Sequence, residues 1–174
     1  VLFDLGAGMP DRWSRIGQLQ EARQFDGIQG VHISHGDMDH VGGLFDLLNT
    51  PIVPEWIEGG GSVSTLAMPC VSQREIDGVV IRTLWPSSER SGTENHRSCV
   101  QLIQSKNVAI LLMGDADWVA ESFVIRELRE RELLGQIDIV VTSHHGANDG
   151  SNPSFVTLVG ARHALISVGA SNRY

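Results

Sequence analysis

The sequence predicts an α/β fold in which two mixed sheets pack face to face with helices outside, an αββα sandwich. Three observations predict it. Short β-rich runs recur along the whole chain, helix-period segments lie between them, and one adjacent pair of runs is joined by a connection of hairpin length. A simple parallel sheet accommodates the last of these poorly. At 174 residues, 41% hydrophobic and 20% charged, the chain is expected to form a single domain over 1–174. It opens on VLFDLG and closes on SNRY without leader or tail, as a piece excised from a longer protein does.

In chain order, the predicted strands are Val1 to Leu5, Gly30 to Ser34, Val79 to Trp85, Ser98 to Gln104, Val108 to Met113, Ile137 to Ser143 and His163 to Val168. Ser105, Lys106 and Asn107 form the hairpin connection, so its flanking strands are expected to be antiparallel. A helix is expected near His40, running through Leu44 to Leu48. The strongest helical signal spans Trp118 to Leu134, where Val119, Phe123, Ile125, Leu128 and Leu133 are interleaved with Glu and Arg. Asp117 is its expected cap and Gly135 its expected end. A third helix is expected after Pro153. Gly59 to Gly61 and Pro86 to Asn95 read as loops.

Composition excludes several classes. No apolar run approaches the roughly 20 residues that span a bilayer. Thirteen Lys and Arg against 21 Asp and Glu give a net charge of -8, a field that repels polyanions, so any nucleic-acid contact must be local. Cys70 and Cys99, far apart and flanked by apolar residues, read as separate buried thiols rather than a disulfide or a metal knot.

The chemistry concentrates in His35-Gly36-Asp37-Met38-Asp39-His40, an HxDxDH pattern at the end of a strand. In extended backbone His35, Asp37 and Asp39 share a face and His40 turns away, so one loop could serve two metals. Gly42 and Gly43 would let that loop turn tightly into a helix. Two further strand ends carry the same residue types: Leu111 to Asp115 ends in Gly-Asp, and Val140 to Gly146 ends in the pair His144 and His145.

Together these residues resemble the metallo-β-lactamase superfamily, whose members carry HxHxDH, a later Gly-Asp that bridges two ions and a final strand-end His. Asp37 stands where the second His is usual. A nearer resemblance is to the C-terminal β-lactamase-like domain of ComEC-type proteins, membrane channels for DNA uptake in competent bacteria. It rests on SHGDMDHVGG from Ser34 to Gly43, Asp4-Leu5-Gly6, Asn95 and Ser98, LLMGD at Leu111 to Asp115, SHHGANDGS from Ser143 to Ser151 and the closing SVGASNRY. Ala147 departs from the usual serine.

The resemblance implies the metallo-β-lactamase fold and a ligand set of His35, Asp37, Asp39, His40, Asp115 and one of His144 or His145. Analogy within the superfamily favours His145. Two divalent ions bring +4, which three carboxylates and a hydroxide balance. Asp37 in place of an imidazole hardens the site toward Mn²⁺ or Mg²⁺, with Zn²⁺ the alternative. Such a pair of ions suits phosphodiester hydrolysis. Asp39 and His144 are the catalytic candidates, His144 as the donor of a hydrogen bond or proton to the phosphate or leaving group. Asn95, Arg97, Ser98, Asn148 and Arg173 are candidate substrate contacts. Asp4 either orients a ligand imidazole or caps a turn. His96 reads as a solvated loop residue, with metal ligation the alternative, and His32 as a structural histidine.

The leading expectation is a metal-dependent nuclease domain degrading one strand of incoming DNA, a soluble domain of a bacterial membrane protein partnered by the rest of the channel. The alternatives are a self-contained hydrolase of another phosphodiester, such as a phosphorylcholine ester or cyclic nucleotide, and a non-catalytic metal-stabilised module that binds DNA.

Overall fold

The computed structural model describes residues 1–7, 27–59, 62–63, 66–67, 70–86 and 92–168. The protein is mixed α/β, as expected, and divides into two units, Val1–Pro69 and Cys70–Tyr174. Gly60, Gly61, the residues 87–91 of the second expected loop, and residues 169–174 of the closing motif, Arg173 among them, lie outside the described residues.

In the first unit, β1 (Leu2–Phe3), β2 (Gly30–Ile33) and β3 (Trp56–Gly59) form a parallel sheet in that order. Strand alternation puts Val31 and Ile33 on one face. There they cluster with Val41, Leu44 and Leu47 of α1 (Met38–Leu48), and Leu5 and Ile28 complete the buried group. An antiparallel ribbon, β4 (Ser62–Val63) and β5 (Leu66–Ala67), follows. Gly42 and Gly43 do not make the expected turn into α1; they lie within it. Gly43 is needed for proximity instead, because a Cβ there would sit 2.5 Å from the Leu5 carbonyl oxygen. Its N–H donates to the Gly6 carbonyl at 2.8 Å, which fastens α1 to the chain leaving β1.

The second unit is built on six strands: β6 (Gln73–Ile76), β7 (Val79–Trp85), β8 (Val100–Gln104), β9 (Ala109–Leu112), β10 (Ile139–Val141) and β11 (His163–Leu165). Their spatial order is β11-β10-β9-β8-β7-β6. From β6 to β9 neighbours are antiparallel, and the hairpin expected at Ser105–Asn107 joins β8 to β9. From β9 to β11 they are parallel.

Helices α2 (Trp118–Glu130) and α3 (Pro153–Val159) bury Ala120, Val124, Leu128, Phe155 and Val159 against Leu102, Leu111, Met113 and Val140. Asp117 caps α2 as expected, accepting the Val119 and Ala120 N–H groups at 3.1 and 3.0 Å. The helix stops before Gly135. Glu132 turns left-handed at φ 58, and the Leu133 N–H reaches back to the Leu128 carbonyl at 2.8 Å, a Schellman closure that folds Leu133 onto the core.

Four of the described strands escaped the sequence reading, the two-residue β4 and β5 and the longer β3 and β6. β3 reads WIEG and β6 reads QREI, and neither alternates cleanly enough to stand out from loop. The cysteines are also not separate. Cys70 and Cys99 form a disulfide with Cα atoms 6.3 Å apart. The Thr83 N–H donates to the Ser72 carbonyl at 3.1 Å, carrying the segment that begins at Cys70 alongside β7 and hence toward the start of β8.

Leu111 is fully buried at the centre of the second unit. Leu111→Ala is expected to cost about 2–5 kcal/mol, read as a lower urea midpoint at unchanged slope.

Candidate metal centre

The first cluster forms where β2 runs into α1. Ser34 and His35 follow the strand, Asp37 precedes the helix, and Asp39 and His40 lie in its first turn. Helical winding from Met38 overturns the expectation that His40 turns away from His35: their ring centroids are 4.2 Å apart. His35 and His40 present ligand atoms within 4.8 Å of one another, as do Asp39 and His40. Asp37 occupies the N-cap position, yet its side chain caps nothing; its Oδ2 lies 3.4 Å from His35 Nε2. A carboxylate that forgoes the ordinary capping bond for an imidazole fits a ligand better than a helix start.

Asp4 settles which nitrogen His40 offers. The residue is left-handed at φ 48, and its carboxylate accepts the Ser34 N–H at 2.6 Å and the Ser34 hydroxyl at 2.8 Å. Its Oδ2 also lies 2.9 Å from His40 Nδ1. A carboxylate only accepts, so Nδ1 carries a proton, and it is Nε2 that the ring offers to a cation once it is neutral. Desolvation pushes the Asp4 carboxyl up, but the His40 hydrogen bond and charge, with the two Ser34 donors, outweigh it and hold the group below its ordinary value. The Ser34 hydroxyl, donating to Asp4, is left to accept from His35 Nδ1 at 3.0 Å, so that Nε2 is the nitrogen His35 turns toward Asp37. His32 belongs elsewhere: buried on β2, it faces Glu58 of β3, Nδ1 to Oε1 3.4 Å, as a structural histidine would.

The second cluster forms where β9 and β10 end. Gly114, left-handed at φ 54, aims Asp115, which is 4% exposed. The Asp115 N–H donates to Ser98 Oγ at 2.9 Å. Ser98, expected to touch substrate, is fully buried and performs that bracing instead. His144 and His145 are both left-handed, at φ 46 and 54, and the His144 N–H donates to the Gly114 carbonyl at 3.0 Å. His144 Nε2 lies 3.8 Å from one Asp115 oxygen and His145 Nε2 lies 3.9 Å from the other. These gaps are too long for hydrogen bonds. They are within the span of about 4.2 Å that two ligand arms of about 2.1 Å can bridge through one ion.

The far side of each ring is again held by an acceptor. His145 Nδ1 lies 2.7 Å from the Ser167 carbonyl oxygen, and His144 Nδ1 lies 2.6 Å from Asp149 Oδ1. Sequence reasoning missed Asp149, because one acidic residue in a polar loop carries no signal. By donor chemistry the two clusters fit divalent ions: imidazoles whose Nδ1 atoms each meet an acceptor stand beside carboxylates.

The remaining candidates are less committed. His96 pairs with Asp117, Nδ1 to Oδ2 3.0 Å, and its ring meets Trp85 edge-on. The Arg97 guanidinium is engaged by Glu94. Asn95 lies in the same turn, where its carbonyl accepts the Ser98 N–H, and Asn148 is exposed beside Asp149.

No protein-family model matches the chain. It is similar to Recombination protein 2 of Haemophilus influenzae, 28% identical over 99% of this chain and 22% of that protein. It is also similar to ComE operon protein 3 of Bacillus subtilis, 24% identical over 84% of this chain and 21% of that protein. The chain thus spans about a fifth of the length of the curated relatives it matches. Among solved structures, a metallo-β-lactamase from Cronobacter sakazakii aligns with a TM-score of 0.44 and 16% identity, over 80% of this chain and 66% of that one. Among the described residues no helix is long and apolar enough to cross a membrane.

Asp4→Asn is expected to weaken divalent-ion binding about ten- to hundredfold, because an amide can present a donor to His40 Nδ1 and reverse the tautomer. Calorimetric titration of the metal-free protein checks this.

Proposed function

We propose that the chain is a metal-dependent phosphodiesterase domain, acting on DNA as part of a bacterial uptake channel in the membrane. The observation that carries the reading is the tethering of Nδ1 in His35, His40, His144 and His145, with Nε2 of His35, His144 and His145 each beside a carboxylate. In this reading His35, Asp37, Asp39, His40, Asp115 and His145 hold two divalent ions, Mn²⁺ ahead of Zn²⁺ or Mg²⁺ because half of the donors are hard carboxylates. Such ions, when bound, activate water and neutralise the oxygen that leaves a phosphodiester.

The chain's own residues divide the remaining work. His145, anchored on a neutral carbonyl, is the ligand of the pair. His144, anchored on the Asp149 carboxylate, is the group that donates to the phosphate or to the leaving oxygen, from Nε2 of its imidazolium form, which a carboxylate at Nδ1 favours. Asp39 is exposed in the first turn of α1, where a bound substrate can reach what it ligates. Arg97, Asn95, Asn148 and Arg173 stay as candidate phosphate contacts, Arg97 only after exchanging Glu94 for the phosphate.

DNA as substrate is supported by the ComEC-type motifs and by the similarity to Recombination protein 2. The -8 charge favours the second reading, hydrolysis of a small phosphodiester, unless the rest of a longer protein supplies the track for the polyanion. Hydrolysis of single- and double-stranded DNA and of a small phosphodiester, with Mn²⁺, Mg²⁺, Zn²⁺ or chelator, decides between them. Small-ester turnover without DNA cleavage selects the second reading, and a parent inert with every metal refutes both.

Two substitutions are informative. Asp39→Ala is expected to lower metal-dependent turnover at least a hundredfold, about the loss that a ligand's removal brings, whereas Arg97→Ala should raise KM with kcat little changed. Asp37→His is expected to move the metal preference from Mn²⁺ toward Zn²⁺, since imidazole suits zinc better than a hard carboxylate does. Parallel titrations and rate measurements with both metals check this, and an unchanged preference places Asp37 away from the ions.

A further inference from the structure

α2 buries a carboxylate that neither the fold nor the proposed chemistry requires there. Glu121 is 1% exposed, on the helix face that otherwise presents Ala120, Val124 and Leu128 to the core. A carboxylate so placed is tolerated only where donors surround it. Its donors all come from one place, the segment that ends the His144–Asn152 loop. Glu121 accepts the Ser151 N–H, the Asn152 N–H at 3.3 Å and the Asn152 side-chain amide at 2.8 Å. Asn152 in turn accepts the Phe155 N–H at 3.0 Å and so starts α3.

From Ser151 the connection returns to the histidines. The Ser143 N–H donates to Ser151 Oγ at 2.9 Å, and the Ser143 hydroxyl donates to the Ala116 carbonyl. Gly150 has no room for a side chain, since a Cβ would lie 2.8 Å from that hydroxyl oxygen. The loop is therefore gripped at both ends, by Gly114 to Ala116 on one side and by Glu121 on the other. Between the grips His144, His145 and Gly146 are all left-handed, a backbone that ordinary residues leave unless their surroundings impose it.

We propose that Glu121 is a positioning residue for the imidazoles of His144 and His145, acting through Ser151 to hold their loop in the left-handed form. The proposal rests on the reading of that loop as metal-binding. A merely structural Glu121 would govern how α2 and α3 pack and leave the imidazoles and their affinity for metal unchanged.

The test compares the parent with Glu121→Gln, Ser151→Ala, the double variant and Glu127→Gln, a control on the exposed side of α2 where Glu127 pairs with Arg131. Mn²⁺ titration calorimetry is combined with imidazole nitrogen NMR of the metal-free proteins. Glu121→Gln turns one acceptor oxygen into a donor facing donors. Both single variants are expected to weaken Mn²⁺ binding about ten- to hundredfold, with the double variant no weaker than the worse single one because the two share one route. The resonances of His144 and His145 should move while those of His35 and His40 stay, and Glu127→Gln should match the parent.

Parental affinity together with unmoved resonances in Glu121→Gln overturns the proposal. If Glu121→Gln fails to fold, Ser151→Ala decides by the same two readouts. If the parent binds no Mn²⁺, the metal reading falls by itself, and unmoved resonances then overturn the positioning role separately.

Discussion

An imidazole can offer one nitrogen to a cation in a fixed direction only while something occupies the other. That constraint organises both clusters. Asp4 and Ser34 take the outer nitrogens of His40 and His35, while the Ser167 carbonyl and Asp149 take those of His145 and His144. Asp4 is itself held, by the Ser34 amide and hydroxyl. The strands therefore do more than deliver ligands. They also bring the groups that decide which tautomer each ligand adopts.

The legible part of the molecule was the part governed by short-range pattern. β7 runs from Val79 to Trp85 as its β-branched run implies, the β8–β9 hairpin turns at its polar triplet, and Asp117 caps α2. The ligand candidates were legible because HxDxDH, Gly-Asp and HHG are dense local spellings. What escaped, as with Glu121, or stayed open between two roles, as with Asp4, depends on partners far along the chain. Thirty residues separate Asp4 from Ser34, and 30 separate Glu121 from Ser151, so neither carboxylate differs in sequence from an ordinary cap or solvated residue. The same holds for Cys70 and Cys99, 29 positions apart.

Local errors had local physical causes. Reading HxDxDH as extended placed His40 on the wrong side, because α1 begins at Met38 and winds the motif's second half back toward His35. Gly43 was taken for a hinge and is instead a point of close approach, which only the Leu5 carbonyl explains. Ser98, matched by motif, serves the Asp115 backbone from inside the fold, so agreement with a family pattern did not distinguish a residue that touches a ligand from one that supports its loop.

The left-handed run at His144, His145 and Gly146 bears on how this loop can be dissected and how it can change. An alanine there removes a ring and simultaneously installs a side chain that disfavours the backbone, so its phenotype conflates two losses. Asparagine tolerates the left-handed region far better. His144→Asn and His145→Asn therefore isolate the chemistry of the ring from the geometry of the chain. The same asymmetry narrows neutral drift at these two positions to Asn, Asp and Gly, so that a lineage discarding the histidines would be recognisable by what replaced them.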